Sequence, residues 1–116
     1  MRLVILESPY TGQGRFWFTR LLSRWANIRY ARRALRDSLT RGESPIASHL
    51  LYTQPEVLSD EIPSERQLGI TAGVAWGRVA DAFVFYCDRG FSSGMRYSEN
   101  CAVFHDRKIE YRNILK

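Results

Sequence analysis

Three short stretches of the 116-residue sequence bring together side chains able to grip or attack a small polar molecule. Asp88, Gly90 and Ser92-Ser93-Gly94 follow the unbroken apolar run Ala82–Cys87 and precede a helical pattern that opens at Met95. Glu7 and Ser8 follow the aliphatic run Leu3–Leu6, and Ser48 and His49 follow Pro45-Ile46-Ala47. A glycine-containing turn that enters a helix leaves backbone N–H groups free at the positive end of the helix dipole, so Ser92 and the Gly94 N–H suit a phosphate or a hydroxyl-rich group. Glu7 could hold sugar hydroxyls or act as an acid or base; it could equally cap a helix or pair with an arginine. His49 is either a hydrogen-bonded structural residue or a ligand contact. Tyr10, Tyr52 and Trp76 offer flat surfaces for a base, and Arg29, Arg32 or Arg78 would serve phosphates.

These groups meet only if the elements carrying them are strands of one sheet. Ala82–Cys87 is too short for a helix and rich in aromatic and β-branched residues, which predicts a strand buried on both faces. Leu3–Leu6 reads as the first strand, and Pro9 and Gly12 make Glu7–Gly14 its outgoing loop. Pro45–Ser48 reads as a second strand, Thr53–Pro63 as a surface connection, and Ile109–Ile114 as a final edge strand. Between them, Ile28, Ala31, Leu35 and Leu39 share one helix face, with Asn27 as the expected cap and Gly42 as the stop. Ser64-x-x-Gln67 has the form of a capping box for a helix that buries Leu68, Ala72, Ala75, Trp76 and Val79. Gly69, Gly73 and Gly77 give that helix a smooth stripe for close packing against the sheet or a symmetry-related helix. Ser93 is placed to cap a last helix reaching about Phe104. Phe16-Trp17-Phe18 is left open among core, lid and subunit contact.

Strands and helices thus alternate. The expected architecture is three-layer α/β, an open and mostly parallel sheet of four to five strands with helices on both faces, Rossmann- or flavodoxin-like. Its carboxyl edge would collect all three polar clusters, where open α/β sheets bind ligands.

Composition sets the outer bounds. At 45% apolar and 25% charged, the chain suits a single domain over residues 1–116. No run of about 18 apolar residues occurs, and Glu7 comes too early for a signal-peptide core, so a cytoplasmic chain without membrane contact is expected. Two isolated cysteines and two scattered histidines point to neither a disulfide nor a metal site, and no cofactor is implied. The net charge of +5 rests on an arginine-rich first third. Arg29, Arg32, Arg33 and Arg36 would line one helix side, a solvated face in the first instance and a phosphate- or nucleic-acid-binding one in the second.

The motifs Glu7-Ser8-Pro9-Tyr10, Asn27 with Tyr30-Ala31-Arg32, the run from Arg41 to Thr53, the run from Gly69 to Asp81, and D-x-G-x-S-x-G-M over Asp88–Met95 together resemble a group of small, mostly phage-encoded proteins. Those are similar in turn to the nucleoside 2-deoxyribosyltransferase-like superfamily. The resemblance spans nearly the whole chain and implies a nucleoside-type pocket, with Glu7, Ser8, Tyr10, Asn27, Arg29, Ser48, His49, Tyr52, Asp88, Gly90, Ser92, Gly94 and Met95 as ligand contacts. In that superfamily a nucleophilic Glu stands four residues after the glycine matched by Gly94. Here that position is Ser98, and Glu99 is turned away by about 100°. The resemblance therefore implies a phage protein that sequesters a nucleotide-type immune signal, an ADP-ribose derivative or a cyclic nucleotide, in the cytoplasm of an infected bacterium. The alternative is an N-glycosidic hydrolase or deoxyribosyltransferase using Glu7, Asp88 and Glu99. A homo-oligomer is expected, because so short a chain would need a second copy to close its pocket; a nucleic-acid partner ranks below both readings.

Overall fold

The computed structural model describes residues 1–10, 12 and 15–115. Four strands, β1 (Arg2–Glu7), β2 (Glu43–Ile46), β3 (Ala82–Tyr86) and β4 (Lys108–Arg112), form one sheet in the order β2-β1-β3-β4, and every neighbouring pair is parallel. The connections carry α1 (Trp17–Thr40), a single-turn α2 (Ser48–Leu51), α3 (Pro63–Ala75) with a following 3-10 turn at Trp76–Arg78, and α4 (Ser93–Phe104). This is the expected flavodoxin- or Rossmann-like α/β fold, with four strands. Strand order reverses between β1 and β3, and such a switch point opens a crevice at the carboxyl ends of the two strands.

Side-chain alternation along the strands divides the core. Val4, Leu6, Ala82, Val84 and Tyr86 pack with Tyr30 and Ala34 of α1 on one face. Ile5, Phe83 and Phe85 pack with Met95 and Ala102 of α4 on the other. All five residues of β3 are fully buried, as its unbroken apolar run predicts. Glu7 continues the row of Ile5 and so falls on the α4 side of the sheet's edge.

Three local expectations are corrected. First, α1 is one continuous helix from Trp17, so Asn27 lies inside it and caps nothing. Its buried face is Asn27, Tyr30, Ala31, Ala34 and Ser38, with Leu39 exposed. The small residues let the helix lie close to the sheet, and Tyr30 and Ser38 turn inward to reach Asp88 and Glu43. Second, the Ser64 capping box does not form. Pro63 starts α3, where its missing N–H costs nothing, and Ile62 stands at the cap position without a side-chain bond. Third, the apolar face expected of α3 is not the buried one: Leu68, Ala75, Trp76 and Val79 are exposed, whereas the glycine stripe packs inward as expected, with Gly73 and Gly77 buried. A Cβ at Gly77 would stand 2.8 Å from Phe83 Cζ, so the approach of this segment to the sheet requires glycine.

A buried ion pair ties the sheet's two outer strands. Arg112, at the end of β4, donates from Nη1 to Glu43 Oε1 (2.8 Å) and from Nη2 to Glu43 Oε2 (2.7 Å), across to the start of β2. Nη1 also donates to the Tyr86 hydroxyl (3.0 Å), Ser38 Oγ donates to Glu43 (2.7 Å), and the Tyr86 hydroxyl donates to Asp37 of α1 (2.8 Å). The Arg112 hydrogen bonds, helped by Ser38, hold the Glu43 carboxyl down at about 2. Arg112 keeps Glu110 as a partner at 3.1 Å, but loss of the bidentate buried contact in Glu43→Gln should still lower the unfolding free energy by on the order of 2–3 kcal/mol. Because the folded value lies below the ordinary 4.5, this contribution is complete above pH 4.5 and is lost as pH falls toward 2. Urea midpoints measured across that window should fall more steeply for the native protein than for the Glu43→Gln variant.

Candidate functional site

A cleft of about 420 Å³ opens at the carboxyl edge of the sheet, within the range of small-molecule sites. Glu7, Ser8 and Tyr10 enter it from the end of β1, Ser48, His49 and Tyr52 from α2 and its exit, and Ser92, Gly94, Met95 and Ser98 from the start of α4. Residues far apart in sequence, near positions 7, 48 and 92, thus share one cavity. The opposite wall is the glycine side of α3, with Gly69, Ile70, Gly73 and Val74, closed above by Leu58, Ser59 and Asp60.

Each contributor is placed by local chemistry. Ser92 Oγ accepts from the Met95 N–H (3.2 Å), capping α4 one residue earlier than the sequence suggests. Ser48 and His49 belong to the first turn of α2 and not to a strand, because β2 ends at Ile46. The side chain of Ser48 lies directly against Gly73, where an added Cβ would come within 2.9 Å of the Ser48 Cβ. The Tyr52 hydroxyl accepts from Trp76 Nε1 (2.9 Å), which fixes its ring at the cleft margin. Tyr10 is held between the Arg24 guanidinium, 5.6 Å from its centroid, and the edge of His49.

The electrostatics of the cleft are unusual for a site lined by carboxyl groups. Burial pushes Glu7 up to about 8, against a weaker opposing hydrogen bond with the Ser98 hydroxyl. No ion pair reaches Glu7 among the described residues, so it is an uncharged acid at neutral pH and can donate a hydrogen bond. Burial also lowers His49 to about 4, leaving a neutral imidazole. Its Nε2 lies 2.8 Å from Ser8 Oγ, and its buried Nδ1 has no partner among the described residues. The lining further contains Asp60, Glu65 and one cation, Arg66. Glu65 is committed in part, because its Oε1 accepts from the Ser59 N–H (2.9 Å).

Four expected ligand contacts lie outside the cleft. Asp88 accepts from the Tyr30 hydroxyl (2.5 Å) and from the N–H groups of Ile114 (2.8 Å) and Leu115 (2.9 Å), so it fastens α1 and the segment after β4. Burial alone would raise its carboxyl, but these donors outweigh that and hold it below its ordinary value. Asn27 Oδ1 accepts from Arg89 Nε (2.7 Å), bracing the loop behind the site. Arg29 is exposed on α1, and Gly90, at φ 101°, shapes the turn after β3 without facing the cavity. Arg32 and Arg78, the other expected phosphate contacts, are likewise outside the lining, as is Trp76. Glu99 points away as the helical rotation requires, accepting from Arg96 (2.8 Å) and the Tyr111 hydroxyl. The α3 wall and the 58–60 loop were not anticipated as lining. The four-residue glycine spacing was the signal for the wall, since only bare backbone can stand this near Ser48, and nothing in the sequence marked the loop.

Among the described residues no three His, Cys, Asp or Glu side chains come together as metal ligands, both cysteines are free thiols, and no helix is long and apolar enough to cross a membrane. Fold and cleft together define a flavodoxin-like parallel α/β domain with a ligand-sized crevice at its switch point. Residues 2–112 match the family described as a domain of unknown function, DUF7768, and the chain belongs to that family. No curated protein matches the sequence.

The charge state of Glu7 is directly measurable. An acid held protonated when folded but ionising near 4.5 when unfolded costs nothing below pH 4.5 and costs progressively more stability as pH rises toward 8. Glu7→Gln should therefore match the native protein near pH 4 and exceed it above pH 8 by on the order of 1–4 kcal/mol, read from urea unfolding at each pH.

Proposed function

We propose that the protein binds a small nucleotide-type molecule in this cleft and holds it unaltered. The observation that carries the reading is the presence, in one cavity, of a helix start at Ser92–Gly94 and of Glu7 as an uncharged acid. The first suits one phosphoryl group or a set of hydroxyls. The second can donate to a carbonyl or ring-nitrogen acceptor of a base, and Tyr10 and Tyr52 add aromatic surface beside it. Among the described lining residues Arg66 is the one cation, already paired with Asp60 at 3.8 Å, and this favours a ligand with one phosphoryl group over a pyrophosphate. A cyclic nucleotide therefore fits this chemistry better than an ADP-ribose derivative. The resemblance to small phage-encoded proteins supports a role as a sponge for an immune signal in the cytoplasm of an infected host.

One contact favours a second reading, an N-glycosidic hydrolase or deoxyribosyltransferase. The Glu7 carboxyl meets Ser98, the position at which the transferase-like resemblance places a nucleophilic Glu. Glu7 would then supply from the strand what the helix lacks. As a carboxylate it would attack the anomeric carbon while the carbon–nitrogen bond breaks and the base departs with the electron pair. That step needs the ionised form, which burial withholds at neutral pH.

Incubation with a panel of nucleosides and nucleotides, at pH 7 and above pH 8, followed by denaturation and chromatography, separates the two. The binder returns its ligand intact and in proportion to protein at both pH values. Free base appearing above pH 8 and lost in Glu7→Gln would establish the enzyme instead. If native mass spectrometry detects no member of the panel bound, both readings fail.

A further inference from the structure

In the depth of the cleft, two pairs of groups each hold one more proton than their mutual bond uses. The first pair is Ser8 and His49, whose Oγ and Nε2 lie 2.8 Å apart. His49 Nδ1 is buried with no partner among the described residues. A proton there would make a buried N–H without an acceptor, the rarer kind of orphan. The imidazole proton therefore sits on Nε2 and is donated to Ser8 Oγ, which leaves the serine's own O–H for the cleft that it lines.

The second pair is Glu7 and Ser98, both lining residues. Burial keeps the proton on the Glu7 carboxyl at neutral pH, and that carboxyl shares a hydrogen bond with the Ser98 hydroxyl. An acid and an alcohol bring two protons to this one bond. Whichever of them donates, one O–H is left over. Two consecutive residues at the end of β1 thus offer two donors and no charge to the same cleft. The carboxylates of the lining, Asp60 and Glu65, stand on the other wall, where Asp60 pairs with Arg66 (3.8 Å) and Glu65 Oε1 accepts from the Ser59 N–H (2.9 Å).

Two neighbouring donors call for two neighbouring acceptors. Guanine presents them at N7 and O6, whereas adenine sets an amino donor where guanine has O6. An O–H facing that amino group would lose its acceptor and stay buried without one. Uracil and thymine flank their outer carbonyl with an N–H and a carbon, and the paired acceptors of cytosine lie beside its glycosidic bond, so that the sugar would have to enter with them. We infer that the base recognised in this cleft is a 6-oxopurine, guanine or hypoxanthine, whose O6 and N7 accept from the Glu7–Ser98 pair and from Ser8. Neither donor meets the 2-amino group, so guanine and hypoxanthine are held alike. The inference rests on the nucleotide-binding reading above and adds the identity of the base.

Titration calorimetry of the full chain at pH 7 tests it, with GMP, IMP, AMP, CMP and 7-deaza-GMP as probes, each in linear and cyclic form. GMP and IMP should bind within a few-fold of one another. AMP, CMP and 7-deaza-GMP should each bind weaker by about tenfold or more, since each lacks one of the two acceptors or places them elsewhere. Ser8→Ala and Glu7→Leu should bring GMP and AMP close to equal affinity. Glu7→Gln should keep the preference, because its amide still donates. These comparisons need only folded protein, which circular dichroism verifies, and the native chain with its five probes decides the matter even where a variant fails to fold. AMP or CMP binding as tightly as GMP overturns the inference and leaves the nucleotide reading standing, as does IMP far weaker than GMP, or a preference that survives both Ser8→Ala and Glu7→Leu. Absence of binding by every probe overturns both.

Discussion

The contact between Arg112 and Glu43 fixes more of this molecule than any other single interaction. It joins the end of β4 to the start of β2, the two outermost strands, and it does so beneath α1 by recruiting Ser38, Asp37 and Tyr86. A four-stranded parallel sheet has two free edges and only local pairing to set its twist. A bidentate bond between its extremes limits how far the sheet can open, and the same carboxylates hold α1 in rotation as well as position. The inward turn of Tyr30 and Ser38, and hence the outward turn of Trp25 and Leu39, belongs to this arrangement. Burying two charges for the purpose is costly, and the geometry offsets the cost by satisfying each carboxylate oxygen.

The cleft follows the opposite policy. Where the clamp keeps its charges by pairing them, Glu7 is left with a serine hydroxyl and no cation, and it responds by keeping its proton. His49 responds to the same burial by losing its proton. The result is a cavity with several ionisable groups and little charge in its depth. A lining of this kind suits recognition by the pattern of donors and acceptors more than by charge. The surface arginines that give the chain its net charge take no part in the cavity.

Much of this could be read from the sequence, for physical reasons that differ by element. β3 was legible because an unbroken apolar run of that length has few alternatives, and the convergence of Glu7, Ser48, His49 and Ser92 follows from parallel topology alone. The face of α1 was read in part: Ala31 and Leu35 do reach the core, but Leu39, placed on the same face, is exposed. The sheet needed small residues there, and the polar Tyr30, Ser38 and Asn27 had partners waiting that periodicity does not reveal. Asp88 shows the same limit. The three donors of this strand-end carboxylate, two of them from backbone beyond β4, cannot be read from the sequence around it. The glycine stripe of α3 was read as a packing device, and it proved also to be a cavity wall.

That wall is held to a close tolerance. Gly73 and Ser48 touch at the point where α3 and α2 come closest, and both helices carry lining residues on either side of the contact. A single methyl group at position 73 would act as a spacer: its carbon would run into Ser48 Oγ, so the two helices would have to part and the aperture widen. Glycine at this point thus sets the aperture at its narrowest, and any other residue there would enlarge it.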